Sequence, residues 1–217
     1  MKPLLTGLLL LLLAWVPGTR AVAAGLQEGV DYERVEAGAW APRAGRVEVA
    51  EIFAYTCPHC AHFEPQLQEW KRRHARDVDL VPVPVAYGGR GDVWARVYFA
   101  AQALGVDARS HPALFDALHR DGSLPRNPTA QELGGFFAGL GVDTARLRAA
   151  LADPAVEAQV ARAGSWIRAA GLEGTPTLVV NGRYRVRGRD FADMLRITDA
   201  LVARERAAAG NRPPTSR

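Results

Sequence analysis

The chain has 217 residues, of which 48% are hydrophobic and 23% are charged. This composition is typical of a globular protein with a substantial core and excludes an intrinsically disordered chain. The 27 Lys and Arg residues nearly balance the 23 Asp and Glu residues, which argues against a nucleic-acid-binding protein.

The first 24 residues have the pattern of a secretory signal peptide. Lys2 gives a positively charged start, residues 4–16 are an apolar run, and residues 21–24 (AVAA) offer small side chains for cleavage. The run of about 13 residues is shorter than the roughly 20 that a transmembrane helix needs. We therefore expect cleavage after Ala23 or Ala24 and a mature protein that is exported.

The next elements alternate between strand and helix. The β-rich run 47–55 is followed directly by a helix-like segment over about 58–75, and a second β-branched run occupies 78–85. Strand, helix and strand form a βαβ unit. Pro82 and Pro84 within the second run predict an irregular end or an edge strand, because proline cannot donate a hydrogen bond to a ladder.

Helical patterns dominate the middle of the chain. Segments separated by Gly, Asp and Pro are predicted as helices over residues 94–104, 113–118, 130–140, 143–151 and 154–170. Two short strands, 177–180 and 183–186, follow and are joined by Asn181-Gly182, a strong hairpin signal. A last helix is expected over about 191–208.

Both cysteines of the chain lie in the motif Cys57-Pro58-His59-Cys60. A disulfide that closes so short a loop removes little conformational entropy from the unfolded chain and therefore stabilises the fold little, which argues against a purely structural role. The export signal places the motif in an oxidising compartment, where disulfides persist. The motif therefore predicts a redox-active pair at a strand-to-helix junction.

The position of Cys57 is expected to activate its thiol. Pro58 suits the first helical turn, which puts Cys57 at the helix N-cap, where free backbone N–H groups and the helix dipole favour an anion. Because the thiolate is the nucleophile, Cys57 is predicted to be the attackable sulfur. His59, in the same turn, would stabilise that thiolate if it is charged or donates a hydrogen bond. Cys60, one turn later, is expected to be the less accessible resolving thiol.

A structural disulfide and half of a metal site stay open as other interpretations of the motif. Zinc usually has four ligands, and Cys57, Cys60 and His62 lack an evident fourth. Surface or hydrogen-bonded side chains are expected for the histidines without metal-ligand spacing, which are His62, His74, His111 and His119. We therefore predict no metal site and no cofactor.

Three stretches together resemble the DsbA family of bacterial disulfide oxidoreductases: residues 51–60, Gly88-Gly89 before the helical region, and Thr175-Pro176-Thr177 before a strand. The resemblance covers roughly residues 26–208. It implies a thioredoxin-like α/β fold with an inserted helical subdomain. The implied division is a signal peptide (1–24), a discontinuous thioredoxin-like domain (25–87 and 171–208), the inserted helical subdomain (88–170) and a flexible tail (209–217).

The resemblance also implies roles for residues outside the cysteine motif. In thioredoxin-like folds a cis-proline faces the active-site pair, and Pro176 matches this proline. The backbone of Thr175 would then bind a substrate peptide as an added strand. Glu51, inside an otherwise apolar strand, matches a buried acid of the family, whose carboxyl would relay a proton to or from Cys60.

The leading hypothesis is a periplasmic thiol:disulfide oxidoreductase that introduces disulfide bonds into reduced or unfolded exported proteins. The resemblance implies reoxidation by a membrane quinone-linked protein such as DsbB, and a monomer is expected. One alternative is a disulfide isomerase or reductase of the same fold, for example in cytochrome maturation. The other is a non-catalytic module that binds a metal or a peptide.

Overall fold

The computed structural model describes residues 25–88 and 92–210. The predicted signal peptide, Gly89 and residues 211–217 lie outside the described residues. In chain order the elements are β1 (Tyr32–Arg34), β2 (Val47–Phe53), α1 (Pro58–Arg73), β3 (Val78–Pro84), α2 (Val93–Ala103), α3 (Asp107–His119), α4 (Ala130–Gly139), α5 (Thr144–Leu151), α6 (Pro154–Ala169), β4 (Thr177–Val180), β5 (Tyr184–Val186) and α7 (Phe191–Gly210).

A five-stranded sheet in the order β1-β5-β4-β2-β3 forms the centre of the fold. β2 pairs in parallel with β3 and antiparallel with β4, and β5 pairs antiparallel with both β1 and β4. A parallel pair needs a crossover connection, which α1 provides, so the predicted βαβ unit is confirmed. Every residue of β2 is buried, including Glu48 and Glu51 in its otherwise apolar sequence.

β3 is an edge strand of this sheet, as its two prolines predict. Just beyond β3, the backbone N–H of Val85 donates to the carbonyl of Phe53 at 2.8 Å. Successive residues of a strand direct their backbone groups to opposite sides, so the odd-numbered residues here face β2. The ring nitrogens of Pro82 and Pro84 therefore point away from β2. The hydrogen-bond ladder between β2 and β3 does not need an N–H group at these two positions.

Helices cover both faces of the sheet and form two apolar clusters with it. One cluster joins α1 and α7 to the sheet through buried side chains such as Phe63, Trp70 and Ile197. The other contains Ile52 of β2, Val179 of β4 and side chains from α2 to α6. The helices between β3 and β4 thus form a layer against the sheet, because each has an apolar face to bury.

The Asn181-Gly182 turn joins β4 to β5, and the predicted hairpin is confirmed. Both residues have positive φ, 49° at Asn181 and 63° at Gly182, as the central positions of a type I′ turn require, and Arg183 follows them before β5 begins at Tyr184. A Cβ atom at Gly182 would lie 1.8 Å from the carbonyl oxygen of Gly38. Glycine is therefore required here by both the turn and the neighbouring segment.

Two elements differ from the sequence-based expectation. β1, Tyr32–Arg34, is too short to show a periodic pattern. α3 begins at Asp107 and contains Pro112, whereas the sequence pattern starts this helix after the proline, because proline disfavours a helix interior. Burial of His111 and Leu114 outweighs this local preference. Among the described helices, none combines the length and hydropathy of a membrane span.

Candidate active site

The Cys57-Pro58-His59-Cys60 motif lies at the junction between β2 and α1. Helix α1 begins at Pro58, and Cys57 is its N-cap residue, with an extended backbone of φ −87° and ψ 116°. Pro58 occupies the first turn, where the missing N–H removes no intrahelical hydrogen bond. The backbone N–H groups at the start of α1 are therefore close to the Cys57 sulfur.

The two cysteines are free thiols and differ in exposure. Cys57 is half-buried, whereas Cys60 has no exposed surface at 0%. The Sγ atom of Cys57 donates a hydrogen bond to the carbonyl oxygen of Thr175 at 3.3 Å. Of the two sulfurs, only Cys57 is accessible to another protein.

The surroundings of the two thiols move their pKa values in opposite directions. Partial burial is the largest single effect on Cys57 and raises its pKa, but interactions with Thr175, with Cys60 and with the backbone of His59 outweigh it and lower the pKa below its ordinary value. Burial is also the largest effect on Cys60, and it raises the pKa of that thiol far above its ordinary value. Cys57 therefore ionises first.

The segment before β4 faces the motif and contains a cis peptide bond between Thr175 and Pro176. Both residues are partly exposed. The hydroxyl of Thr177 donates to the carbonyl of Gly174 at 2.7 Å and so fixes the entry into the strand. The structure thus brings Thr175 and Pro176, both expected to bind substrate, to the side of Cys57.

Two concave regions flank Thr175. One has a volume of about 530 Å³, and its lining includes Pro176, Arg187 and Met194. The other, of about 290 Å³, is lined in part by Tyr55 and Trp94. A peptide chain that crosses Thr175 would have room for its side chains in both directions.

Glu51 lies in β2, opposite Pro82 of β3 and Leu178 of β4. Its exposure is 1%, and neither carboxyl oxygen has a hydrogen-bond partner among the described residues. Burial raises the pKa of Glu51 well above its ordinary value, and the negative charges of Glu64 and Cys57 raise it further. Glu51 also lies close enough to Cys60 for its negative charge to contribute to the raised pKa of that thiol.

Two further polar residues of this region are not among the site residues predicted from the sequence. Glu64 and His111 are each 5% exposed, and Oε2 of Glu64 lies 3.8 Å from Nε2 of His111. Side-chain atoms of Glu51, Glu64 and His111 all come within 4.8 Å of one another. Glu64 follows Cys60 by four residues and so shares its helix face, which is a usable signal. Nothing in the local sequence points to His111.

The expectation that His111 is a surface or hydrogen-bonded side chain is met only in part, since its Nδ1 atom is hydrogen-bonded with the hydroxyl of Tyr55 at 2.9 Å. The residue is buried, and its Nε2 atom has no hydrogen-bond partner among the described residues. His111 is buried because α3 packs against α1, which brings His111 close to Glu64. His119 does match the expectation, since its Nε2 donates to the carbonyl of Tyr55 at 2.6 Å.

The geometry also bears on the alternative of a metal carrier. Within the described part of the chain, Cys57, Cys60 and His62 do not bring three donor atoms within 4.8 Å of one another. His62 is exposed on α1, whereas Cys60 is fully buried. The three side chains therefore do not converge on one point.

The sequence model of the DSBA-like thioredoxin domain family matches residues 48–198. The chain belongs to this family. The thiol:disulfide interchange protein DsbA of Pseudomonas aeruginosa is 32% identical over 203 residues, which cover 92% of this chain and 95% of that protein. DsbA of Azotobacter vinelandii is 32% identical over 197 residues, with coverage of 88% and 91%.

Solved structures of DsbA proteins are similar to this one as well. The crystal structure of the oxidoreductase DsbA from Xylella fastidiosa has a TM-score of 0.80 at 50% identity and covers 84% of this chain and 98% of its own. Pseudomonas aeruginosa DsbA has a TM-score of 0.75 at 32% identity, with coverage of 84% and 96%. The resemblance and the thioredoxin-like fold are thus confirmed, and the chain is a thiol:disulfide oxidoreductase.

Proposed function

We propose that the chain is a periplasmic oxidase that introduces disulfide bonds into exported proteins through Cys57 and Cys60. The observation that carries this proposal is the contrast between the two thiols. The accessible sulfur has a lowered pKa, whereas the buried sulfur has a strongly raised pKa. An accessible sulfur that is stable as an anion, next to a buried one that is stable as a thiol, suits an enzyme that transfers its disulfide to other proteins.

The exchange has two steps. A substrate thiolate attacks Sγ of Cys57 in the disulfide form, the bond to Cys60 breaks, and its electron pair goes to the Cys60 sulfur. Cys60 takes up a proton, for which Glu51 is the proposed donor. A second substrate thiolate then attacks the substrate sulfur of the mixed disulfide, and Cys57 leaves as a stabilised thiolate.

Stabilisation of the Cys57 thiolate also sets the direction of the reaction. It favours the reduced enzyme, and therefore makes the disulfide form the stronger oxidant. Each unit by which the pKa of Cys57 is lowered favours the thiolate by about 1.4 kcal/mol. This supports an oxidase over a reductase or isomerase of the same fold.

Several further assignments follow from this function. Thr175 and Pro176 bind the substrate peptide as an added strand, while the exposed Pro58 and His59 contact it beside Cys57. A membrane quinone-linked protein similar to DsbB restores the disulfide. We assign residues 1–24 to the signal peptide and residues 88–170 to an inserted subdomain of a monomeric enzyme.

The proposal is tested by the reduction potential of the pair, measured against glutathione, together with the oxidation of a reduced two-cysteine peptide. We expect a potential well above that of thioredoxin and loss of peptide oxidation in Cys57→Ser. A potential near that of thioredoxin would favour the reductase alternative. Zinc retained stoichiometrically by the reduced protein would favour the metal carrier.

A further inference from the structure

Three polar side chains from separate elements converge inside the protein. Glu51 comes from β2, Glu64 from α1 and His111 from α3. One ligand atom of each side chain lies within 4.8 Å of the ligand atoms of the other two. Within residues 25–88 and 92–210, no other three His, Cys, Asp or Glu side chains come together in this way. The cluster therefore links the central sheet to two helices.

The atoms of this cluster lack the hydrogen bonds that buried polar groups normally make. Glu51 is 1% exposed, and Glu64 and His111 are each 5% exposed. Both carboxyl oxygens of Glu51, Oε2 of Glu64 and Nε2 of His111 have no hydrogen-bond partner among the described residues. An unpaired buried polar atom costs free energy, and a charged one costs more. Four such atoms in one cluster therefore indicate a shared binding partner.

The hydrogen bonds at the edge of the cluster direct its free atoms inward. The amide of Gln68 donates to Oε1 of Glu64 at 2.9 Å, and Oε2 of Glu64 lies 3.8 Å from Nε2 of His111. On the other side of the imidazole, Nδ1 lies 2.9 Å from the hydroxyl of Tyr55. A metal-bound imidazole usually donates its second N–H to an oxygen in this way. With the hydrogen on Nδ1, the lone pair of Nε2 faces the carboxylate of Glu64, and a cation between them would contact both.

The three side chains offer the ligands of a zinc ion, which are one imidazole nitrogen and two carboxylate oxygens. The two carboxylates would balance the charge of the ion, which lowers the cost of burying it. Ligand atoms around a tetrahedral zinc are about 3.4 Å apart, because each lies about 2.1 Å from the metal. The 3.8 Å between Glu64 and His111 is close to this value. A small rotation of the Glu51 side chain would bring in the third ligand.

A cavity of about 520 Å³ gives access to the cluster, since both Glu64 and His111 line it. Lys71 and Arg72, which also line this cavity, are exposed, so the cavity reaches the protein surface. The negative charges of Glu64 and Asp107 in the lining offset the two positive ones. A hydrated ion could enter here, and a water molecule from the cavity would complete four-coordination, as in open zinc sites.

We propose that Glu51, Glu64 and His111 form a binding site for one zinc ion. The bound ion joins β2 and α1 to α3 and stabilises the folded protein, because the unfolded chain does not hold the three ligands together. Neither sulfur of the cysteine motif is a ligand, so the site is separate from the redox pair. The ligands come from three elements, which is why no local spacing in the sequence signals the site.

The test is zinc binding by the oxidised protein, in which both sulfurs are occupied by the disulfide. Equilibrium dialysis followed by metal analysis should give one zinc per chain. The unfolding temperature should rise by about 5–10 °C when free zinc is about 100 times Kd. His111→Phe retains an aromatic ring without a ligand atom, and Glu64→Gln retains the shape of the side chain. Each should weaken zinc binding by at least about tenfold.

His62→Gln is the matched control, because His62 is an exposed histidine of α1 beside the cysteine motif. Its zinc affinity should equal that of the wild type. Zinc that binds only after reduction of the disulfide, or that is lost in His62→Gln, would lie at the cysteine motif and would overturn the proposal.

Two further results would overturn the site. One is an oxidised wild type that binds no zinc, and the other is wild-type affinity in His111→Phe or Glu64→Gln, because the metal would then be bound elsewhere. If His111→Phe does not fold, Glu64→Gln decides. These measurements need no catalysis, so they are independent of the oxidase function, which peptide oxidation by the zinc-free protein tests.

Discussion

The thiol of Cys57 donates a hydrogen bond to the carbonyl oxygen of Thr175, with 3.3 Å between sulfur and oxygen. The sulfur predicted to be attacked thus lies beside the backbone that is proposed to pair with a substrate strand. A peptide aligned on Thr175 would bring its own cysteine close to Cys57.

Cys60→Ser is expected to trap a mixed disulfide. Cys57 can still attack a disulfide, but no second sulfur is present to release the adduct. Mass spectrometry after incubation with oxidised glutathione should show one glutathione on Cys60→Ser and none on Cys57→Ser, because the remaining sulfur of the latter is fully buried. A stable adduct on Cys57→Ser would contradict the assigned roles.

His59→Pro should raise the pKa of Cys57 and make the disulfide less oxidising. The backbone of His59 is among the groups that lower this pKa, and proline removes its N–H as well as the imidazole. His59→Ala, which keeps the N–H, separates the two effects and should raise the pKa less. Thiolate absorbance as a function of pH gives both values. An unchanged titration curve in the proline variant would remove the role assigned to residue 59.

Glu51→Gln should change how stability depends on pH. The pKa of Glu51 is raised in the folded protein, so the wild type is expected to lose stability as pH rises from about 4 through the folded-state pKa. The loss approaches about 1.4 kcal/mol for each unit of elevation. Urea unfolding at low pH and at pH about 8 gives the free energy of unfolding at each pH. The decrease between the two pH values should be smaller in Glu51→Gln than in the wild type.

A control in the same strand sharpens this test. Glu48 is also buried, at 2% exposure, but its carboxylate accepts hydrogen bonds from the backbone N–H groups of Trp40 and Ala41. Glu48→Gln should therefore destabilise the protein at pH about 8 by roughly 1–3 kcal/mol. If the free energy of unfolding depended on pH equally in the wild type and in Glu51→Gln, ionisation of Glu51 would not destabilise the folded protein, and the prediction would be wrong.

Gly182→Ala should destabilise the fold much more than Gly141→Ala. Both glycines have positive φ, 63° and 78°, which costs alanine about 1–2 kcal/mol. Only at Gly182 would the new Cβ meet another atom, the Gly38 carbonyl oxygen at 1.8 Å, whereas no atom lies within 4 Å at Gly141. We expect a further loss of at least about 2 kcal/mol at Gly182. Similar unfolding midpoints for the two variants would contradict this.

Much of the fold and the core of the site can be predicted from local patterns. The cysteine motif, the proline that starts α1 and the Asn181-Gly182 turn each act through neighbouring residues, so a single sequence contains their signal. The bounds of β4, Thr177–Val180, are those expected from the sequence. The edge position of β3 also follows from its own prolines.

The rest depends on packing between distant segments. β1 exists as a strand because it pairs with β5, and its three residues have no periodicity of their own. His111 reaches Glu64 because α3 packs against α1, which no spacing within α3 reveals. Interactions of this kind join parts of the chain that are far apart in sequence, and only the three-dimensional arrangement shows them.

The outward-facing prolines of β3 have a consequence for an enzyme that meets unfolded chains. Exposed strand edges recruit extended polypeptides and so promote aggregation. At positions 82 and 84 this edge presents no N–H to a passing chain. We expect client proteins to pair poorly with the Pro82–Pro84 end of β3, so that this part of the edge does not compete with the cysteine motif for extended chains.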